Sequence, residues 1–320
     1  MVEKTLIKRI LLIALIARIL VFGAASRGIF MIGEGRTQAN LAENLLSGNG
    51  FMISGSMMHP EEEENAPLMF RRSFEFYRSV DGYYGVLRPD RPTMFLVPGY
   101  AFFMAGVFAV FGSGNFLAVS GFQLLIGLLT VLTGLKIAKR FLSGRYLFAA
   151  GLFFALDPFE LYFEAMPATQ AVFSLLFLLG ILFSLRVLER SSGKGSCLFD
   201  SLLAGLVWTA AFYVRPVALP IMIWLILLLI FTPVFKRMYE RLKGRSRTGT
   251  AELRSARRGL LSASIILVVF SVLMLPWGFR NQKISGEFRI MPVQGGVNLW
   301  EYNGRIFTAH FENEAEGALL

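Results

Sequence analysis

Long apolar runs alternate with short polar connectors along the chain. The runs over roughly 5–25, 115–137, 146–163, 168–187, 198–213, 216–235 and 259–277 each predict a helix on the scale of the 20 or so apolar residues that a bilayer crossing takes. The run Met94–Phe111 is different: Pro98 and Gly99 interrupt it, and it barely spans a hydrocarbon core. Loop charge decides its fate. If 94–111 does not cross, the basic N-terminus (Lys4, Lys8, Arg9) and the basic connectors Lys136–Arg145, Arg186–Lys194 and Lys236–Arg258 all fall on the cytoplasmic side, as the positive-inside rule requires. If it crosses, the connectors land outside while the N-terminus stays in. The pattern therefore predicts an all-α polytopic membrane protein with seven crossing helices, a cytoplasmic N-terminus, and 94–111 packed at the outer surface or re-entrant.

Between the first two spans, Leu41, Leu45 and Leu46 recur at helical spacing until Gly48 and Gly50 stop the run. That predicts a short amphipathic helix on the membrane surface, with Glu34, flanked by Gly33 and Gly35, at its mouth. A carboxylate there is also what the helix dipole favours on its own account.

Composition agrees with this class. Mean hydropathy is +0.57, 55% of residues are hydrophobic, and the net charge of +10 sits in connectors between apolar spans, which assigns it to topology and not to nucleic acid. One cysteine, Cys197, excludes an intrachain disulfide, and His59 and His310 are too far apart in sequence to suggest a His-rich metal site. No small-residue cleavage site clearly follows the first apolar run, so it reads as a retained helix. Arg18 lies inside that helix, where it either snorkels or faces a polar site. The acidic run Glu61–Glu64 reads as a solvated turn.

With this topology one face, the external one, collects the 26–114 loop, the Glu164–Gln170 turn, the Arg215-Pro216 turn and everything after Pro276. Arg91 and Arg215 both stand next to proline at external helix ends. A guanidinium stays charged and offers a planar fork of donors, which suits a phosphate; taken singly, each is as well explained as a headgroup anchor.

The segments Leu41–Phe51, Arg91-Pro92 with Pro98, Phe111-Gly112, Gln123–Thr130, Ala155–Pro158, Val214-Arg215-Pro216, Pro276–Asn281 and Gly295–Trp300, in this order and spacing, resemble the family 39 glycosyltransferases of GT-C fold. These are relatives of protein O-mannosyltransferases and of the bacterial enzymes that add aminoarabinose to lipid A. The resemblance implies a GT-C-like bundle with juxtamembrane helices on its external face. It also implies transfer of a sugar from a polyprenyl-phosphate carrier to a lipid, glycan or protein acceptor, outside the plasma membrane, by a cell-envelope enzyme. The family's acidic residue after the first helix falls on Glu34, where Glu replaces the usual Asp, and is the expected base for the acceptor hydroxyl. A second acidic position falls on Gln170, with Glu164 six residues earlier as its nearest substitute, a departure that weakens metal-assisted chemistry and leaves a divalent cation as an open cofactor. Arg91, Arg215, Arg280 and Asn298, with Gln170 and Glu164, make up the expected substrate-binding set.

By domains, residues 1–278 are expected to form the membrane module, with the site carried by the external loop 26–114. Residues 279–320 are expected to form an external segment, which in the family is followed by further helices. Two alternatives stand beside this reading. A lipid or solute transporter would place its polar features near the midplane and often show two repeated halves, whereas here they gather at one face with no convincing repeat. A divergent, non-catalytic relative is the other, kept alive by Gln170.

Overall fold

The computed structural model describes residues 2–25, 34–53, 91–191, 197–242 and 249–293. The helices in chain order are α1 (Val2–Ala25), α2 (Glu34–Leu46), α3 (Gly99–Phe111), α4 (Phe116–Ala138), α5 (Gly144–Leu156), α6 (Pro158–Ala165), α7 (Thr169–Ser191), α8 (Leu198–Val214), α9 (Ala218–Leu242) and α10 (Gly249–Ser285). A two-stranded antiparallel ribbon, β1 (Met52–Ile53) with β2 (Arg91–Pro92), joins the chain on either side of the α2–α3 connection. Among the described residues four segments are long and apolar enough to cross a membrane: Phe116–Ala138, Gly144–Ala165, Thr169–Ser191 and Arg254–Ser285. Large apolar side chains such as Phe153 and Trp224 point outward from the bundle, as they do where the surrounding solvent is lipid. The chain is an all-α integral membrane protein.

The expected span 146–163 is two helices. Asp157 accepts from the backbone N–H of Phe159 at 2.9 Å, capping α6, while Pro158 occupies its first turn, where a missing N–H costs nothing. The Asp-Pro pair therefore ends α5 and starts α6 inside one apolar stretch. In the same way α10 carries Pro276 and continues beyond residue 278 to Ser285.

Helix ends meet in two sets. At one end of the bundle Gly35 abuts Pro167, Arg215 bonds Thr169, Gly99 abuts Tyr213, and Gln123 reaches Phe163–Met166. At the other, Arg140 pairs with Glu189, Arg190 with Asp200, and Ser262 donates to Cys197. Helix α3 belongs wholly to the first set. It begins against Tyr213, at the C-terminal end of α8, and ends with four residues between it and α4, with Phe108 edge-on to Phe116 and Phe111 edge-on to Phe122. The segment read as non-crossing thus starts and finishes at one end of the bundle.

Helix α2 forms where its Leu spacing places it, but its apolar face is covered by protein. Ala39 and Ala42 are buried among Tyr100, Met104 and Val172, and Leu41 joins Phe95 and Trp277 in a neighbouring core, leaving only Leu46 largely exposed. The expected membrane-surface helix is therefore a packed one: α3 supplies the apolar surface that lipid was expected to provide. The main core lies between α7, α8, α9 and α10 around Trp208 and Phe212, and the Trp208 indole donates to Ser184 Oγ at 3.1 Å.

Candidate functional site

Glu34 is the first residue of α2; nothing beyond its backbone lies within the described residues. Its neighbour Gly35 packs so closely on the Pro167 carbonyl that a Cβ would overlap the oxygen, and this is why glycine stands there. The start of α2 is thereby seated on the turn between α6 and α7. On that turn Thr169 is buried and its Oγ1 accepts from Arg215 Nε at 2.8 Å, while the Gln170 side-chain oxygen is buried with no hydrogen-bond partner among the described residues. Arg215 caps the C-terminus of α8, its guanidinium 6.0 Å from the Phe173 ring. The start of α2 and the Arg215 side chain therefore both meet the turn that leads into Gln170. Gln38, one turn along α2, is buried to 1% exposure, and its side-chain oxygen also has no partner among the described residues.

Arg280, on the C-terminal part of α10, donates to the carbonyls of Phe51 (2.8 Å) and Thr93 and to Asn281 Oδ1 (3.0 Å). Its guanidinium lies 4.8 Å from the Trp277 ring and 5.4 Å from the Phe51 ring. All these partners are neutral, and among the described residues no carboxylate pairs with it. Arg280 borders a cavity of about 690 Å³ walled by Phe102 of α3, Val172 and Leu176 of α7, Tyr213 of α8 and Trp277 of α10. Apart from Arg280 the walls are almost entirely apolar, and the one nearby hydroxyl, Tyr213, donates to the Leu273 carbonyl at 2.7 Å. Gly99 lets α3 close the wall, since a Cβ would come 2.6 Å from the Tyr213 carbonyl oxygen.

Glu164 is not at a solvated or headgroup-facing helix end. It is fully buried and paired with Arg18 at 2.7 Å, and Arg18, at 1% exposure, also donates to the carbonyls of Ala14 and Ala155. Gly127 on α4 makes room for the carboxylate; a side chain there would occupy the same space. Arg18 therefore neither snorkels nor reaches the α6–α7 turn directly, and Glu164 supports that turn from beneath. The backbone of Arg91 pairs with Ile53 in the ribbon, but its side chain lies outside the described residues, as does Asn298. Among the described residues no group of three or more His, Cys, Asp or Glu could hold a metal ion.

Residues 90–244 match the family model described as dolichyl-phosphate-mannose-protein mannosyltransferase. Over this stretch, just under half of its length, the chain is similar to the GT-C glycosyltransferases. Neither curated proteins nor solved structures give a significant match. Arg91, Glu164, Gln170 and Arg215 lie inside the stretch shared with the glycosyltransferases, and Glu34, Arg280 and Asn298 lie outside it.

Three residues of this glycosyltransferase relative carry geometry that their sequence context did not single out: Gln123, Tyr100 and Gln38. Gln123 is buried on α4, its amide bonded to the carbonyls that end α6 and to the Tyr100 hydroxyl. A lone amide within the apolar run 123–129 was a signal for it, because a buried polar group needs partners. Gln38 gave a weaker signal, being one polar residue among several on α2.

Proposed function

We propose that this membrane glycosyltransferase takes its sugar from a polyprenyl-phosphate carrier and transfers it to an acceptor hydroxyl on the non-cytoplasmic face, in one inverting displacement. The observation that carries the reading is the meeting, at one end of the bundle, of an apolar cavity bordered by an arginine that no carboxylate pairs with among the described residues, with the turn that seats the start of α2. A lipid-linked phosphate needs both: apolar wall for the chain and cation for the head.

In the proposed reaction the Glu34 carboxylate takes the proton from the acceptor hydroxyl. The acceptor oxygen then bonds to the anomeric carbon as the bond from that carbon to the phosphate oxygen breaks. Negative charge grows on the departing lipid phosphate, and the arginines Arg215, Arg280 and Arg91 are its proposed partners. Gln170 falls where the sequence resemblance implies an acid, and its side-chain oxygen, without a partner among the described residues, is suited to accept from a sugar hydroxyl. No step requires a metal. The transporter alternative draws little support, since the buried Arg18 and Glu164 pair with each other.

Incubating the purified protein with radiolabelled polyprenyl-phosphate sugars tests the proposal. Release of the sugar to water, or its transfer to added acceptor lipid or peptide, is the expected result. Sugar that stays on every carrier tried, with the protein folded, would overturn it.

A further inference from the structure

Gln123 is fully buried on α4, and its amide serves two elements at once. Its Nε2 donates to the carbonyls of Phe163 (3.2 Å), Glu164 (3.1 Å) and Met166 (2.6 Å), at the C-terminal end of α6, where backbone oxygens lack partners within the helix. Its Oε1 accepts from the hydroxyl of Tyr100, itself fully buried in the first turn of α3. Each partner has a telling neighbour. Met166 precedes Pro167, whose carbonyl seats Gly35 at the start of α2. Tyr100 follows Gly99, which borders the cavity and touches Tyr213.

One side chain therefore joins the turn beneath α2 to the helix that walls the cavity. Capping of α6 alone would use only the Nε2 bonds. The bond to Tyr100 adds something different, a fixed separation between the cavity wall and the Met166–Gln170 turn. Buried hydrogen bonds of this kind are directional and costly to leave unmade, so the tie resists displacement of either element.

We propose that Gln123, tied to Tyr100, is a positioning residue for glycosyl transfer: it holds the Met166–Gln170 turn, and through Gly35 the start of α2, in register with the cavity. The inference rests on the function proposed above. It touches no substrate, so the donor's own contacts should survive its loss while the approach of the reacting groups suffers.

The test uses the full chain with Cys197→Ala and a reporter thiol from Ala168→Cys on the turn, combined in turn with Gln123→Met and Tyr100→Phe. Gln123→Met should raise the rate of thiol labelling at 168 at least tenfold and Tyr100→Phe several-fold, since the first removes every bond of the Gln123 amide and the second only one. In transfer assays kcat should fall roughly 10- to 100-fold for Gln123→Met, the scale of an ångström-level misplacement, with donor KM within about threefold of the parent. Labelling and kcat both unchanged in folded Gln123→Met would overturn the inference, as would a loss confined to KM. If Gln123→Met does not fold, Tyr100→Phe decides: unchanged labelling and kcat there reject the tie. Absence of transfer by every variant and the parent alike would count against the proposed function, whereas the labelling rates would still decide whether Gln123 holds the turn.

Discussion

The two ends of the bundle differ in how their arginines are partnered. At the end formed by α5, the C-termini of α4 and α7 and the N-terminus of α8, Arg140 pairs with a largely exposed Glu189 at 2.6 Å and Arg190 with Asp200. At the end where α2, α3 and the α6–α7 turn meet, charge is enclosed. Arg18 is paired with Glu164 below the turn, while among the described residues Arg280 is held by carbonyls, an amide oxygen and aromatic rings and by no carboxylate. The lesson lies in the partners. A guanidinium bound by neutral oxygens keeps its full charge for an anion, whereas one bound by a carboxylate has already met its counterion. The first kind belongs to a site and the second to a scaffold.

That distinction can be broken experimentally, beginning where the effect should be greatest. Glu34→Gln should lower turnover by about two to four orders of magnitude with donor binding retained, the worth of a positioned base, and Glu34→Asp should do less harm. Steady-state transfer with membrane insertion verified is the measurement, and near-normal turnover by the Gln variant would place the base elsewhere.

Next in size is the scaffold pair. Arg18→Met leaves a buried carboxylate without its cation and should destabilise the fold by about 3–5 kcal/mol, whereas Arg18→Met with Glu164→Leu should recover most of the loss. Thermal unfolding in detergent reads both. A double variant no better than the single one would mean that the pair does more than neutralise itself.

Arg280→Gln should weaken donor binding about 10- to 100-fold, corresponding to a charge-assisted bond of roughly 1.5–3 kcal/mol, with Arg280→Lys intermediate because it keeps charge and loses the planar fork. Donor titration measures it, and unchanged affinity would assign the phosphate to Arg215 and Arg91 alone. Smallest of all should be Arg140→Ala at the opposite end, within about 1 kcal/mol in stability and without effect on transfer, as for most exposed ion pairs.

Much of the frame was legible in the sequence because it depends on local pattern and on charge summed over loops. The basic connectors alone assigned 94–111 as non-crossing, and α3 does begin and end at one end of the bundle. Arg215 and the 164–170 turn were marked by proline, polarity and position. What the sequence withheld were pairings across long separations. Nothing local to Arg18 names Glu164 as its partner, so snorkelling remained an equal reading until the two were seen in contact. Likewise the surface role given to α2 followed from its amphipathic pattern, which records that one face is apolar and not whether lipid or α3 covers it. The break at Asp157-Pro158 was written in plain cap chemistry, yet the apolar run on both sides masked it.

The pair of Arg18 and Glu164 also sets a timetable. The two residues are 146 positions apart, so a chain emerging from the ribosome presents the arginine of α1 to the membrane long before its carboxylate exists. Until α6 has been made, α1 carries a cation that the bilayer interior disfavours by a few kcal/mol. The final seating of the first helix therefore waits on the sixth, and any nascent fragment shorter than residue 164 is one whose first helix has not yet been given its counterion.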